Sequence, residues 1–448
     1  MKAKKYHMAR LFLAALLLLA SCAPRAAAWK ELPPVDIQAK AALLADPQTD
    51  TLLFERNIHE RVYPASITKI MTTLLALSHG DLADEVTASE TALSGLDPQG
   101  STQNIKAGEV MTLEDLLYCV MVASANEACN VIAEHIAGSV DAFVEMMNAE
   151  AERLGCEGTH FTNTHGLHEE DHYTTAWDVY LITREALKNP RFMTIANTPD
   201  KHIPPTNMTE KERVLYTTNH LISRAKSAGY IYHQAKGIKT GHTSAAGNCL
   251  VSAAEKDGYS YLCVVMGAAQ EEGVVRSFTE TKALFEWGFD NFETKQIIAT
   301  SDIVAKVDVL QGLNEDTVVL VPETKLLRLL PKGLRIEDVE KDVTIDSPGG
   351  VTAPVKRGDT LGTLTLVYDG AVLGVVPLVA AISVERSQLD ASREELSDFM
   401  SQPWVRYVLF GLAGAIALYT LIALAYNMAR RRRQGKNALY NGRYRGKR

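Results

Sequence analysis

Three short stretches of this 448-residue chain carry side chains whose types and spacing suit nucleophilic chemistry. The first is Ser66-Ile67-Thr68-Lys69, at the head of an apolar-rich helical pattern that runs on through Ile70, Met71 and Leu74. Residues three apart share a helix face, so the lysine amine can lie beside the serine hydroxyl. Such a pair is a nucleophile with its base, provided the lysine can lose its proton. An unperturbed lysine pKa near 10.4 must fall by roughly 3 units for half of it to be neutral near pH 7, and burial or a second cation would push it that way. The plain alternative is an N-cap serine next to a solvated lysine. A second copy of the spacing, Ser223-Arg224-Ala225-Lys226, has no apolar helix behind it and reads as solvated surface.

Two more stretches complete the chemistry. Ser124-Ala125-Asn126 sits between helical patterns in MVASANEACN, and Lys239-Thr240-Gly241 sits on the strand-like GIKTGHT. Each occurs once, and the order S-x-x-K, S-x-N, K-T-G is that of the penicillin-recognising set. The histidines of His165-Gly-Leu-His168-Glu-Glu-Asp-His172 are the one rival cluster, but their spacing matches no metallohydrolase helix motif such as H-E-x-x-H. No metal and no cofactor is expected.

With these residues in view, the chain resembles the serine D-Ala-D-Ala carboxypeptidases, the low-molecular-mass penicillin-binding proteins. The resemblance runs through PASITKIMT, ASANEA, NTHGL, HYTTAWD, KTGHTSAAGNCLVSAA and VVMGA. Glu127 stands where that family more often has aspartate. The resemblance implies Ser66 as nucleophile, Lys69 as its base, and Ser124 as proton relay to the leaving amine. It implies that Asn126 holds Lys69 and the substrate amide, with Lys239, Thr240 and Arg276 at the substrate carboxylate. The backbone N–H groups of Ser66 and His242 would form the oxyanion hole, Gly241 would leave room for close backbone approach, and His165 would be structural. The expected partners are the D-Ala-D-Ala stem peptide of peptidoglycan, β-lactam inhibitors and the cytoplasmic membrane. A β-lactamase would share the motifs, but its E-x-x-L-N segment is absent between Asn126 and Lys239. A non-catalytic penicillin-binding sensor or scaffold would carry a damaged set, and here every motif side chain is present.

The elements that must position these groups follow from pattern. AALLAD and TLLFERN read as strands around Pro47–Asp50; residues 66 to about 187 read as mostly helical; GNCLVSAAE and YSYLCVVMGA form a hairpin; FTETKALFEWGFDNF is a helix. This predicts an α+β penicillin-binding/β-lactamase-like domain over 29–297, a helical cluster packed on an antiparallel sheet assembled from distant segments. Period-2 patterning then predicts a small all-β domain over 298–384, an amphipathic connector over 385–404 and a transmembrane helix over 405–428. Tyr407 to Met428 is 22 residues without a charge, about 33 Å of helix.

The ends and the charge set the compartment. Residues 1–28 combine Lys2, Lys4, Lys5 and Arg10 with the apolar LFLAALLLLA and an A-x-A site ending at Ala28, the pattern of a signal peptide. Leu19-Ala20-Ser21-Cys22 also fits a lipobox, which leaves lipidation at Cys22 as an alternative. Arg430–Arg433 follow the apolar span, so the basic tail 429–448 is expected in the cytoplasm and the body outside. The signal region contributes +5 and the tail +9 to a total of −8, so the exported body carries −22, which argues against nucleic acid as a partner. Beyond Cys22, five cysteines remain. Cys249 and Cys263 flank the hairpin and could be diagonal neighbours, but buried free thiols are the expectation.

Overall fold

The computed structural model describes residues 32–97, 100–225 and 229–442. The signal-peptide region with Cys22, the decoy Lys226 and the last residues of the tail lie outside them. Two compact units are present. The first spans the chain up to Ile297 and includes Leu327–Val339 and Tyr368–Ala371; the second comprises Ile298–Leu326, Glu340–Val367 and Val372 onward.

The first unit is built on a five-stranded antiparallel sheet ordered Thr51–Arg56, Ala41–Asp46, Tyr259–Ala268, Gly247–Lys256, Ala235–Thr243. Its first two strands and last three are some 180 residues apart in sequence, as the segment reading requires. Both faces are covered, so alternate side chains enter different cores. Leu43, Val251 and Val264 join the helical cluster on one face, while Leu44, Leu250 and Val265 meet Phe285 of the helix Arg276–Asn291 on the other. This explains the near-continuous apolar runs in these strands.

Cysteine placement follows from the same alternation. Cys263 stands opposite Ser252, and Cys249 lies beyond a register shift at Asn248/Leu250. Cys249 belongs to the helical-side core and Cys263 to the opposite core, so the two are not diagonal neighbours. All five described cysteines are buried free thiols.

The stretch 66–187 contains the expected helices Lys69–His79, Leu113–Met121, Asn126–Ala137, Val140–Arg153 and Ala176–Ala186. It also contains a two-stranded ribbon, Glu85–Thr87 with Val110–Thr112, that its helical patterning does not suggest. The second unit holds a six-stranded sheet whose core is aliphatic, including Val307, Val318, Leu320, Leu364, Leu366 and Leu378. The helix Pro403–Gly442 closes the described chain. Within it, Pro403–Arg432 has a mean hydropathy of 2.3 over its most apolar window and is long enough to cross a membrane.

Candidate active site

Ser66 lies in a 3-10 turn, Ala65–Thr68, that runs directly into the helix Lys69–His79. Pro64, not Ser66, takes the N-cap position, so the serine hydroxyl is not spent on capping. It meets Lys69 Nζ at 2.9 Å instead. Lys69 is fully buried, and its amine also donates to Asn126 Oδ1 at 2.8 Å and to the His165 carbonyl at 2.7 Å.

This arrangement fixes the direction of proton transfer. As an ammonium, Lys69 has three protons for three acceptors. As a neutral amine it has two protons and a lone pair. Neither Asn126 Oδ1 nor a carbonyl oxygen can donate, so only the Ser66 hydroxyl can turn round and give its proton to Nζ. Burial lowers the Lys69 pKa from 10.5 to about 8, against the opposing pull of Cys129 and Glu127. A basic, partly neutral lysine at a serine is what general-base activation needs.

Ser124 sits in the short link between Leu113–Met121 and Asn126–Ala137 and has φ 64°, a left-handed conformation that costs a non-glycine residue. Its hydroxyl accepts from Lys239 Nζ at 3.0 Å. Lys239 is 1% exposed, and burial followed by repulsion from Lys69 holds its pKa well below the ordinary lysine value. Asn126 heads its helix, and Gly100 presses on it: a Cβ there would stand 2.6 Å from Asn126 Nδ2. Glu127 points away from the chemistry, accepting from Thr102 Oγ1 and Gln103 N.

The strand Ala235–Thr243 is the sheet's edge, paired on one side only with Gly247–Lys256. Gly241 brings this edge against the Ser66 turn, for a Cβ there would lie 3.1 Å from Ser66 N and 3.0 Å from Pro64 O. Thr240 Oγ1 is hydrogen-bonded to Thr218 Oγ1, and His242 is exposed. The structure therefore gathers Ser66, Lys69, Asn126, Ser124, Lys239 and Gly241 through direct contacts. Arg276 is different. It opens the helix Arg276–Asn291, where its guanidinium is held by Glu280 at 3.1 Å and Glu271 at 3.2 Å. No hydrogen bond joins it to the cluster among the described residues.

The histidine-rich loop packs against this cluster. His165 supplies its carbonyl to Lys69, and its ring accepts from Leu167 N. His168 packs edge-on against Tyr63 with ring centroids 4.5 Å apart. Among the described residues no group of His, Cys, Asp or Glu is arranged to hold a metal ion. Gly166 has φ 88°, and a Cβ there would stand 1.8 Å from the Ala65 carbonyl oxygen. That contact, the Thr218–Thr240 pair and the approach of Gly100 to Asn126 carry no signal in sequence spacing.

The site and the fold define a serine acyltransferase of the penicillin-recognising class. A family model described as D-alanyl-D-alanine carboxypeptidase matches residues 27–270, and one described as the C-terminal domain of penicillin-binding protein 5 matches 292–386. The chain belongs to the D-alanyl-D-alanine carboxypeptidase family, the low-molecular-mass penicillin-binding proteins, and is a serine-type hydrolase. Similar proteins include the D-alanyl-D-alanine carboxypeptidase DacF of Bacillus subtilis, 34% identical over 78% of this chain and 87% of its own length. DacC of Escherichia coli is 29% identical over 83% of this chain and 90% of its own length. The crystal structure of penicillin-binding protein 5 from Haemophilus influenzae superposes with a TM-score of 0.61 at 29% identity, covering 79% of this chain and all of that one.

Proposed function

We propose that this carboxypeptidase removes the terminal D-alanine from peptidoglycan stem peptides, with Ser66 as the nucleophile. The observation that carries the assignment is the buried Lys69 amine 2.9 Å from Ser66 Oγ, its other two acceptors unable to donate. Lys69 takes the Ser66 proton as Oγ attacks the carbonyl carbon between the two D-alanines. The oxyanion is met by the N–H groups of Ser66 and His242. The C–N bond breaks, Ser124 passes a proton to the departing D-alanine amine, and water hydrolyses the acyl-enzyme.

Asn126 steadies Lys69 and the substrate amide. The substrate lies extended along the free edge of Ala235–Thr243, pairing through its main chain, with its carboxylate at Lys239 and Thr240. Arg276 adds its charge there once substrate competes with Glu271 and Glu280. A β-lactam presents the same carboxylate and carbonyl and acylates Ser66 in place of substrate. We further propose export through residues 1–28, a catalytic domain over 29–297, a β domain over 298–384, a connector over 385–404 and a single span at 405–428. The catalytic domain then faces outward and the tail 429–448 lies in the cytoplasm.

The test is D-alanine release from a diacetyl-Lys-D-Ala-D-Ala peptide by the full chain in detergent. Release that vanishes in Ser66→Ala and after penicillin treatment is the expected result. Release that survives Ser66→Ala would overturn the nucleophile assignment.

A further inference from the structure

We propose that His172 is a positioning residue for the oxyanion hole, acting on the Ser66 N–H through Thr68 and the Ala65 carbonyl. The inference rests on Ser66 being the nucleophile. His172 is 1% exposed, and its Nδ1 lies 3.0 Å from Thr162 N. A backbone N–H can only donate, so Nδ1 accepts, and a neutral imidazole must then carry its proton on Nε2. Nε2 lies 2.8 Å from Thr68 Oγ1, whose own proton goes to the Ala65 carbonyl at 2.9 Å. Each link thus takes its direction from the one before, starting at a donor that cannot reverse. Burial first, then the nearby charges of His160, His168 and Lys69, keeps the ring neutral, with a pKa of about 3, so Nδ1 stays an acceptor.

The end of the chain is what matters. Ala65 C=O and Ser66 N–H belong to one planar trans peptide and point in opposite directions. Holding the carbonyl towards Thr68 therefore aims the N–H the other way, and Gly241 packs within contact range of that nitrogen. The hold has work to do, because Ala65 sits at φ 47°, a left-handed conformation that an alanine does not keep unaided. Gly166 closes over the same carbonyl from the histidine loop. Among the described residues no hydrogen bond joins His172 to the Ser66 hydroxyl or the Lys69 amine.

The experiment compares His172→Leu, Thr68→Val, the double variant and His172→Gln in the full-length protein with a fluorescent penicillin. Labelling at saturation counts folded sites, and the labelling rate per site measures acylation. The amide of His172→Gln offers one acceptor and one donor, as the neutral ring does, and is expected to restore most of the rate. Each single loss of the chain is expected to slow acylation about tenfold to a hundredfold per site, with KM for peptide substrate little changed. The double variant is expected to be no slower than the slower single, since both break one chain. Full rate per labelled site in Thr68→Val, or rate losses that multiply in the double, would overturn the proposal and leave His172 a fold staple. If His172→Leu does not fold, Thr68→Val decides alone, for it removes one hydroxyl at constant shape. Failure of the nucleophile assignment is separate, because it would show as penicillin labelling that persists in Ser66→Ala.

Discussion

The two units place polar groups in opposite ways. In the first, the fully buried side chains include Lys69 and Lys239, and near them lie buried Ser124, Asn126, Glu127, His165 and His172. In the second, Ser387 is the one described buried polar side chain, and the core is aliphatic: valine, leucine and alanine with Ile298. Burying an ammonium is costly unless it is fully hydrogen-bonded, and even then an apolar replacement of similar shape is often as stable. The second unit shows what a sheet core looks like when only stability is required. The polar residues of the first unit are therefore best understood as held for chemistry, at a cost that its two apolar cores offset.

The contrast is broken most severely at Lys69. Lys69→Ala removes the base and leaves Asn126 Oδ1 and the His165 carbonyl without their donor, so penicillin acylation should fall about 10²–10⁴-fold per folded site. A rate within a few-fold of wild type would mean that another group takes the Ser66 proton. Gly166→Ala is next. Its Cβ would collide with the Ala65 carbonyl, and its φ is already in the left-handed region. The backbone beside Ser66 must move, and acylation should drop about a hundredfold, read as labelling rate against the saturated count.

A change in the second unit should do the reverse. Leu364 is fully buried in its sheet, and Leu364→Ala should cost that unit about 2–5 kcal/mol. Regional hydrogen exchange would show the loss in residues 340–367 and 372–380, while acylation per labelled site stays at the wild-type rate. A slowed site would show that the units are energetically coupled, and the contrast would then have to be redrawn.

What could be seen in the sequence, and what could not, divides by the range of the contacts. Lys69 next to Ser66 follows from helix spacing, and the strand with Lys239 follows from the patterning around it. The order of the three motifs then ties them to one site. Nothing local says that Gly166 must touch Ala65 or that His172 reaches Thr68, because those contacts join points about a hundred residues apart whose approach is set by the path of the chain. Two features were local and still went unread: Glu280 lies one helix turn from Arg276 and Glu271 five residues before it, and the Ser252–Cys263 pairing puts Cys249, three residues from Ser252, on the opposite face by strand alternation alone. The ribbon Glu85–Thr87 with Val110–Thr112 was hidden because strands of three residues are too short to show a period.

Acid sharpens the comparison with the smallest effect. All twelve histidines precede residue 243, so the second unit has none. His165 and His172 are buried and neutral, each with a pKa lowered from 6.5 to about 3, by burial first and then by neighbouring charge that includes Lys69. Between those values the unfolded chain binds a proton at each histidine and the folded chain does not, so stability falls as pH drops below about 6.5 and the loss is complete near pH 3. The slope is at most about 1.4 kcal/mol per pH unit for each ring. Carboxylates titrate in both units, so the histidine share has to be taken as a difference. His172→Gln removes one of the two protons, and between pH 6.5 and 5 its first unit should lose less stability than wild type by about 1–2 kcal/mol. The second unit should respond alike in both proteins. Exchange corrected for the intrinsic pH effect measures each unit separately. Equal slopes in the first unit would mean that His172 is already protonated in the folded state, and its Nδ1 could not then accept from Thr162.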